Sequence, residues 1–172
     1  MKVMIIKSLA VTHKTREYHQ VQAASLFEQF RQQNSLGEWL RRLCGVTGQL
    51  IYLPDVLTGY AITYREVEGS RQVAIAQIRG SLNGRIRDFT ADFRPRQTHT
   101  QARWINIASA RTSGKSLPLV QLALIVGVES LKGTYFVEDG HHRISVARAL
   151  GDQHINARIV TIHVRPNNTP SV

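Results

Sequence analysis

The stretch VEDGHHRISVARALG, Val137 to Gly151, decides how this chain is read. Two carboxylates, a glycine, two histidines and an arginine follow one another, and an apolar helical pattern begins directly behind them. The residues just ahead, TYFVED, are extended and apolar, so the whole reads as strand, turn and helix. Gly140 permits a backbone geometry closed to other residues and lets a ligand come near. The helix behind it exposes unpaired N–H groups carrying positive partial charge, and an anion is the natural occupant of such a place. At about 100° per residue, Ile144, Val146, Ala147 and Leu150 share one arc, which is expected to face the core. Arg143 falls inside that arc, where a guanidinium is costly unless something negative meets it. His141 and Ser145 lie together on the opposite side, with His142 separate.

Local chemistry leaves alternatives open. Asp139 can cap the helix and pair with Arg143, as can Glu138, which makes the cluster purely structural. A metal set built from His141, His142 and the two carboxylates is disfavoured, because adjacent histidines diverge on a helix and no HxxxH spacing is present. No nucleophile elbow accompanies the histidines, so a Ser-His-Asp triad is not expected.

Working outward, AITYREVEG and RQVAIAQI alternate and contain β-branched residues, and a hairpin is expected with EGS as its turn. The next segment, GSLNGRIRDFTADFRPRQ, repeats Asp-Phe at 88–89 and 92–93, a spacing that places both phenylalanines on one side of a short helix. In HTQARWINIASARTSGK, Ala102, Ile105 and Ala108 share a helical face and Gly114 stops it. SLPLVQLALIVG and TYFVED form a second hairpin through GVESLKG, and INARIVTIHV is a last strand. Residues 14–33 have helical spacing at Val21, Ala24, Phe27 and Phe30. A second short helix is expected from Ser35, with Glu38 completing a capping box and Gly45 ending it. The expected organisation is a helical arm over 1–58, an α+β domain with a small mixed sheet over 59–165, and a frayed tail over 166–172.

Composition narrows the class. At 172 residues with 42% apolar content, the chain can build one core. No run approaches the roughly 20 apolar residues that span a bilayer. The start, MKVMIIKSLAVTHK, imitates a secretory signal only briefly before Lys7 interrupts it, so a cytoplasmic protein without a membrane partner is expected. The single Cys44 rules out an internal disulfide and a cysteine-based zinc site. The net charge of +10 is uneven: residues 71–115 hold nine Lys and Arg against two Asp and Glu, and eight of the nine are arginine. Arginine's planar fork suits phosphate, so Arg79, Arg85, Arg87, Arg94 and Arg96 form a candidate nucleic-acid face beside the alternative of a merely solvated one.

The segment YFVEDGHHRISVARALG, ahead of the strand INARIV, resembles the ParB/sulfiredoxin superfamily, whose members share a strand, a Gly-x-x-Arg turn opening a helix, and a small-residue helix ending in glycine. The likeness covers about residues 70–165. It implies a small α+β domain that binds a nucleoside triphosphate, ATP or CTP with Mg²⁺, through Gly140 and Arg143, with His141, His142 and Ser145 beside them. His141 stands where sulfiredoxins have cysteine, so sulfinic acid reduction is not expected. His141-His142 replaces the Glu-Arg of ParB proteins, and no helix-turn-helix follows residue 165. Relatives with Asp-Gly-His-His-Arg include small-molecule kinases, in which a carboxylate such as Glu138 or Asp139 deprotonates the acceptor hydroxyl. The expected roles are therefore catalysis by Glu138, Asp139 and His141, with no protein metal site. The function that the resemblance implies is nucleoside triphosphate hydrolysis or phosphoryl transfer. Alternatives are a DNA-binding protein or nuclease of the ParB-like type, and a regulatory module without turnover that dimerises through the arm.

Overall fold

The computed structural model describes residues 2–32 and 48–167, with side chains from residue 15 onward. The expected helix after Ser35, and Cys44, lie outside the described residues. Helix α1 (Lys2–Gln32) leads to β1 (Ile51–Tyr52), the short helix α2 (Leu53–Val56) and the long strand β2 (Tyr60–Ala74). Then come β3 (Ile78–Ser81), helix α3 (Gln101–Thr112), β4 (Val120–Val126), β5 (Tyr135–Asp139), helix α4 (His141–Ala149) and β6 (His154–Pro166). The class is α+β, as expected, with one mixed six-stranded sheet in the order β1-β3-β5-β4-β6-β2. Pairs β1/β3, β3/β5 and β4/β6 are parallel, whereas β4/β5 and β2/β6 are antiparallel. Among the described residues no helix is long and apolar enough to cross a membrane.

Both faces of the sheet are covered, which explains the continuous apolar run LALIV in β4. Val120 and Leu122 of β4, Val137 of β5 and Ile159 of β6 turn to one face and pack with Phe89, Phe93, Ile144 and Ala147. Ala123, Ile125, Phe136 and Ile162 turn to the other and meet Leu53 and Leu131. Period-two alternation thus divides each strand between two cores.

The hairpin expected between 60 and 78 is absent. Residues 60–74 form one strand that stays paired with β6, and its irregularities between Ile62 and Tyr64 and between Val67 and Gly69 are register shifts rather than a turn. Gly69, with φ of 102°, absorbs the second shift. A 13-residue β6 supplies the template, and sequence alternation alone cannot show that a distant strand is long enough to keep the chain straight. The hairpin of β4 and β5 forms as expected, through Gly127 to Thr134.

Residues 48–58, placed in the arm from sequence, contribute β1 and α2 to the sheet and its core. Helix α1 joins through a third cluster, in which Ala23, Phe27 and Phe30 pack against Trp104, Ala108 and Val146. Phe27 and Trp104 meet edge to face with centroids 5.3 Å apart. The buried face of α3 is therefore that of Trp104, Ala108 and Ser109, and Ala102 is exposed. The face shifts because α1, which sequence spacing cannot place, covers the tryptophan. Two arginines of the basic segment hold α1 and the backbone at Gly48 in place. Arg94 donates to the carbonyl of Phe30 at 2.9 Å and lies over its ring at 4.7 Å, and Arg96 donates to the carbonyl of Gly48 at 2.8 Å. Because Phe27 is fully buried, Phe27→Ala is expected to cost about 3–5 kcal/mol of stability in urea unfolding. A loss under about 1 kcal/mol would mean that α1 is not part of the cooperative unit.

Candidate functional site

The turn between β5 and α4 is built on Gly140. Its φ is 109°, and an added Cβ would lie 2.7 Å from Cγ1 of Val120. The close neighbour that requires glycine is thus β4, where the sequence suggested a ligand. Helix α4 begins at His141, and the first amide donating within it is that of Ile144, to the carbonyl of Gly140 at 3.0 Å. The amides of His141, His142 and Arg143 precede the intrahelical ladder.

Arg143 meets its anion inside the chain. One guanidinium nitrogen donates to the carbonyls of Pro118 and Leu119 at 2.7 and 2.8 Å, and the other pairs with Asp139. Its arc is not a simple apolar stripe. His141, His142, Ile144, Ser145, Val146 and Ala147 are all buried, whereas Leu150 is exposed. Ser145 accepts a hydrogen bond from Trp104 Nε1 at 2.8 Å, which places it in the seam with α3. Glu138 is turned away to Arg65 at 3.1 Å. The α4 helix is enclosed on more sides than its local pattern indicates because α1, α3 and the sheet all reach it.

The two histidines sit against an aromatic wall. His141 stacks on Phe89 with centroids 5.9 Å apart, and His142 meets the same ring edge to face at 5.2 Å. The two Asp-Phe repeats do place Phe89 and Phe93 side by side, through irregular turns instead of a helix, with Phe93 at φ of 59°. His141 Nε2 hydrogen-bonds Ser81 Oγ at 2.9 Å. The same loop is fixed by Asn83, which donates from Nδ2 to the carbonyl of Glu138 at 3.1 Å and accepts from the Arg85 amide at 3.2 Å. His142 Nε2 is buried and has no hydrogen-bond partner. An unsatisfied polar group of this kind costs about 1–3 kcal/mol.

Beside the histidines is a cleft of about 40 Å³ lined by Arg85, Arg103, Ile107, Asp139, Gly140, His141, His142 and Arg143. Burial, and after it the Arg85 guanidinium, pushes His141 down from 6.5 to about 4. Burial, then Arg103 and Arg85, does the same to His142. Both imidazoles are therefore neutral near pH 7. Asp88 approaches Arg85 at 3.8 Å and His99 at 3.5 Å on the rim. Among the described residues no group of three or more His, Cys, Asp or Glu is arranged to hold a metal.

Sequence reasoning placed Gly140, His141, His142, Arg143 and Asp139 at one spot, and the fold keeps them there. It missed Arg103, Ser81 and Asn83. Of these, only Asn83 carried a local signal, as a polar residue beside a glycine. Of the five arginines expected on a nucleic-acid face, Arg79, Arg85 and Arg87 are exposed, while Arg94 and Arg96 are engaged as described. No family model, curated protein or solved structure matches the chain.

The unfolded chain binds protons below pH 6.5, but these imidazoles refuse them in the folded chain until about pH 4. Stability is therefore expected to fall as pH drops through that window, by up to about 1.4 kcal/mol per pH unit for each imidazole. Urea midpoints measured from pH 7.5 downward check this, with His142→Asn expected to show the shallower slope. Equal slopes for the two proteins would contradict it.

Proposed function

We propose that the chain is a phosphate-handling protein of the ParB/sulfiredoxin type, holding the terminal phosphate of a nucleoside triphosphate at the first turn of α4. The observation that carries this reading is the buried, partnerless Nε2 of His142 in the wall of a cleft that also receives Arg85, Arg103 and a helix N-terminus. A neutral imidazole between two guanidinium groups is poorly satisfied until an anion enters, and three free amides point the same way. The pairing of Asp139 with Arg143 cancels the one carboxylate on the cleft wall, so the cleft retains an excess of positive charge. Its small volume suits a single phosphoryl group, with the nucleoside outside it.

ATP or CTP fits these donors, and Mg²⁺ would arrive on the nucleotide, since among the described residues Asp139 is the only carboxylate lining the cleft. When bound, the ion supplies neutralisation of phosphate charge. Asp139 is the proton acceptor available to an incoming hydroxyl. The residues that clamp the phosphate are then Arg85 and Arg103, and Arg143 positions Asp139. His141, locked to Ser81, shapes the wall.

A second reading, nucleic-acid binding with or without strand cleavage, is favoured by the exposed Arg79, Arg85 and Arg87, of which Arg85 also lines the cleft. A regulatory module without turnover would bind nucleotide and release no phosphate.

Thermal shift with ATP, CTP and inorganic phosphate tests the proposal. Millimolar nucleotide with Mg²⁺ is expected to raise Tm, and Arg103→Ala is expected to weaken binding by about tenfold or more. Sulfate, whose charge is constant over the range, is expected to bind more tightly at pH 5 than at pH 7.5, because a bound anion lets His142 take up a proton. Absence of any shift with all four anions rejects the reading.

A further inference from the structure

Two larger clefts meet at Lys115, one clear of the phosphate site and the other sharing Arg143 with it. One, of about 560 Å³, runs between α1 and α3 past Arg16. The other, of about 440 Å³, continues round the end of α3 to Arg111, Arg143 and Asp152, with the side-chain amides of Gln72 and Asn156 on its floor. Together they make one groove that passes over the carboxyl end of α3.

Charge along this groove is one-sided. Four permanent cations line it, of which Arg111 and Arg143 are already paired with Asp152 and Asp139, and Arg16 and Lys115 supply the excess. Lys115 is held at a fixed place in the backbone: Gly114 takes a φ of 76° and the Lys115 amide donates to the carbonyl of Ala110 at 2.9 Å, closing α3. Its ammonium group and the Arg16 guanidinium are both on exposed residues, at the junction and in the α1 wall. A lysine that served only the negative end of the α3 dipole would need no second cation across the cleft.

We infer that this groove is a docking site for an extended acidic peptide segment of a partner protein. Charge complementarity selects an anionic chain. The lining selects peptide over single-stranded nucleic acid. Among the described residues, apart from the imidazoles of His19 and His154, it offers no ring on which a base could stack, and stacking carries about 1–3 kcal/mol per base in such sites. It offers instead side-chain amides, Gln72 and Asn156 on neighbouring strands and Gln20 and Asn106 on facing helices, which can pair with peptide N–H and C=O groups. The inference does not rest on the phosphate reading.

Fluorescein-labelled decaglutamate and an oligothymidylate of equal length, titrated against the full chain by anisotropy, test it. The peptide is expected to bind saturably, with affinity falling as salt rises. Lys115→Glu combined with Arg16→Glu should weaken binding by about tenfold or more, while Arg103→Glu should change it by less than about twofold. Unaltered melting of the variants confirms that folding is intact. Absence of saturable peptide binding, equal weakening by Arg103→Glu, or tighter binding of the oligothymidylate would overturn it.

Discussion

The hydrogen bonds of the Arg143 guanidinium hold together the parts on which the candidate site depends. In one side chain they join Asp139 at the end of β5, the carbonyls of Pro118 and Leu119 ahead of β4, and the first turn of α4. Gly140 is pressed against Val120 at the same point. These constraints fix where α4 starts relative to the sheet, and that start determines where its free amides point. A half-buried guanidinium is costly alone and stable when its donors are matched, which is the case here.

From this anchor follows an unusual electrostatic arrangement. Two consecutive histidines are driven into an aromatic wall, lose their charge, and are left beside Arg85 and Arg103. His141 recovers a partner in Ser81, and His142 Nε2 does not. The chain thus carries a local cost at a polar cleft within an otherwise well-satisfied core. Costs of this kind persist where surrounding packing over-determines them, and they gather at sites that bind something.

Much of the fold was legible because its signals are local. The β4/β5 hairpin, the glycine turn and the start of α4 were read from adjacent residues whose spacing matches one backbone form. Misreadings occurred where a distant element decided the outcome. Residues 60–74 look like two strands and a turn, but a long β6 keeps them straight. Helix α3 looks as though it buries Ala102, but α1 covers Trp104 instead. Ser145 looks like a residue of the turn's open side, but Trp104 reaches it from another helix.

By itself, the sequence determined the α+β class, the turn at 138–143, and the presence there of an arginine requiring a negative partner. It could do so because helical and strand periods, and the demands of glycine at positive φ, act over a few residues. Tertiary structure alone decided that the carbonyls of Pro118 and Leu119 share this arginine, that Arg103 enters the cleft from α3, and that Arg94 holds α1 while Arg96 holds Gly48. Those pairings join residues far apart along the chain, and only the packing of the sheet and helices sets which charges end up within a few ångströms of one another.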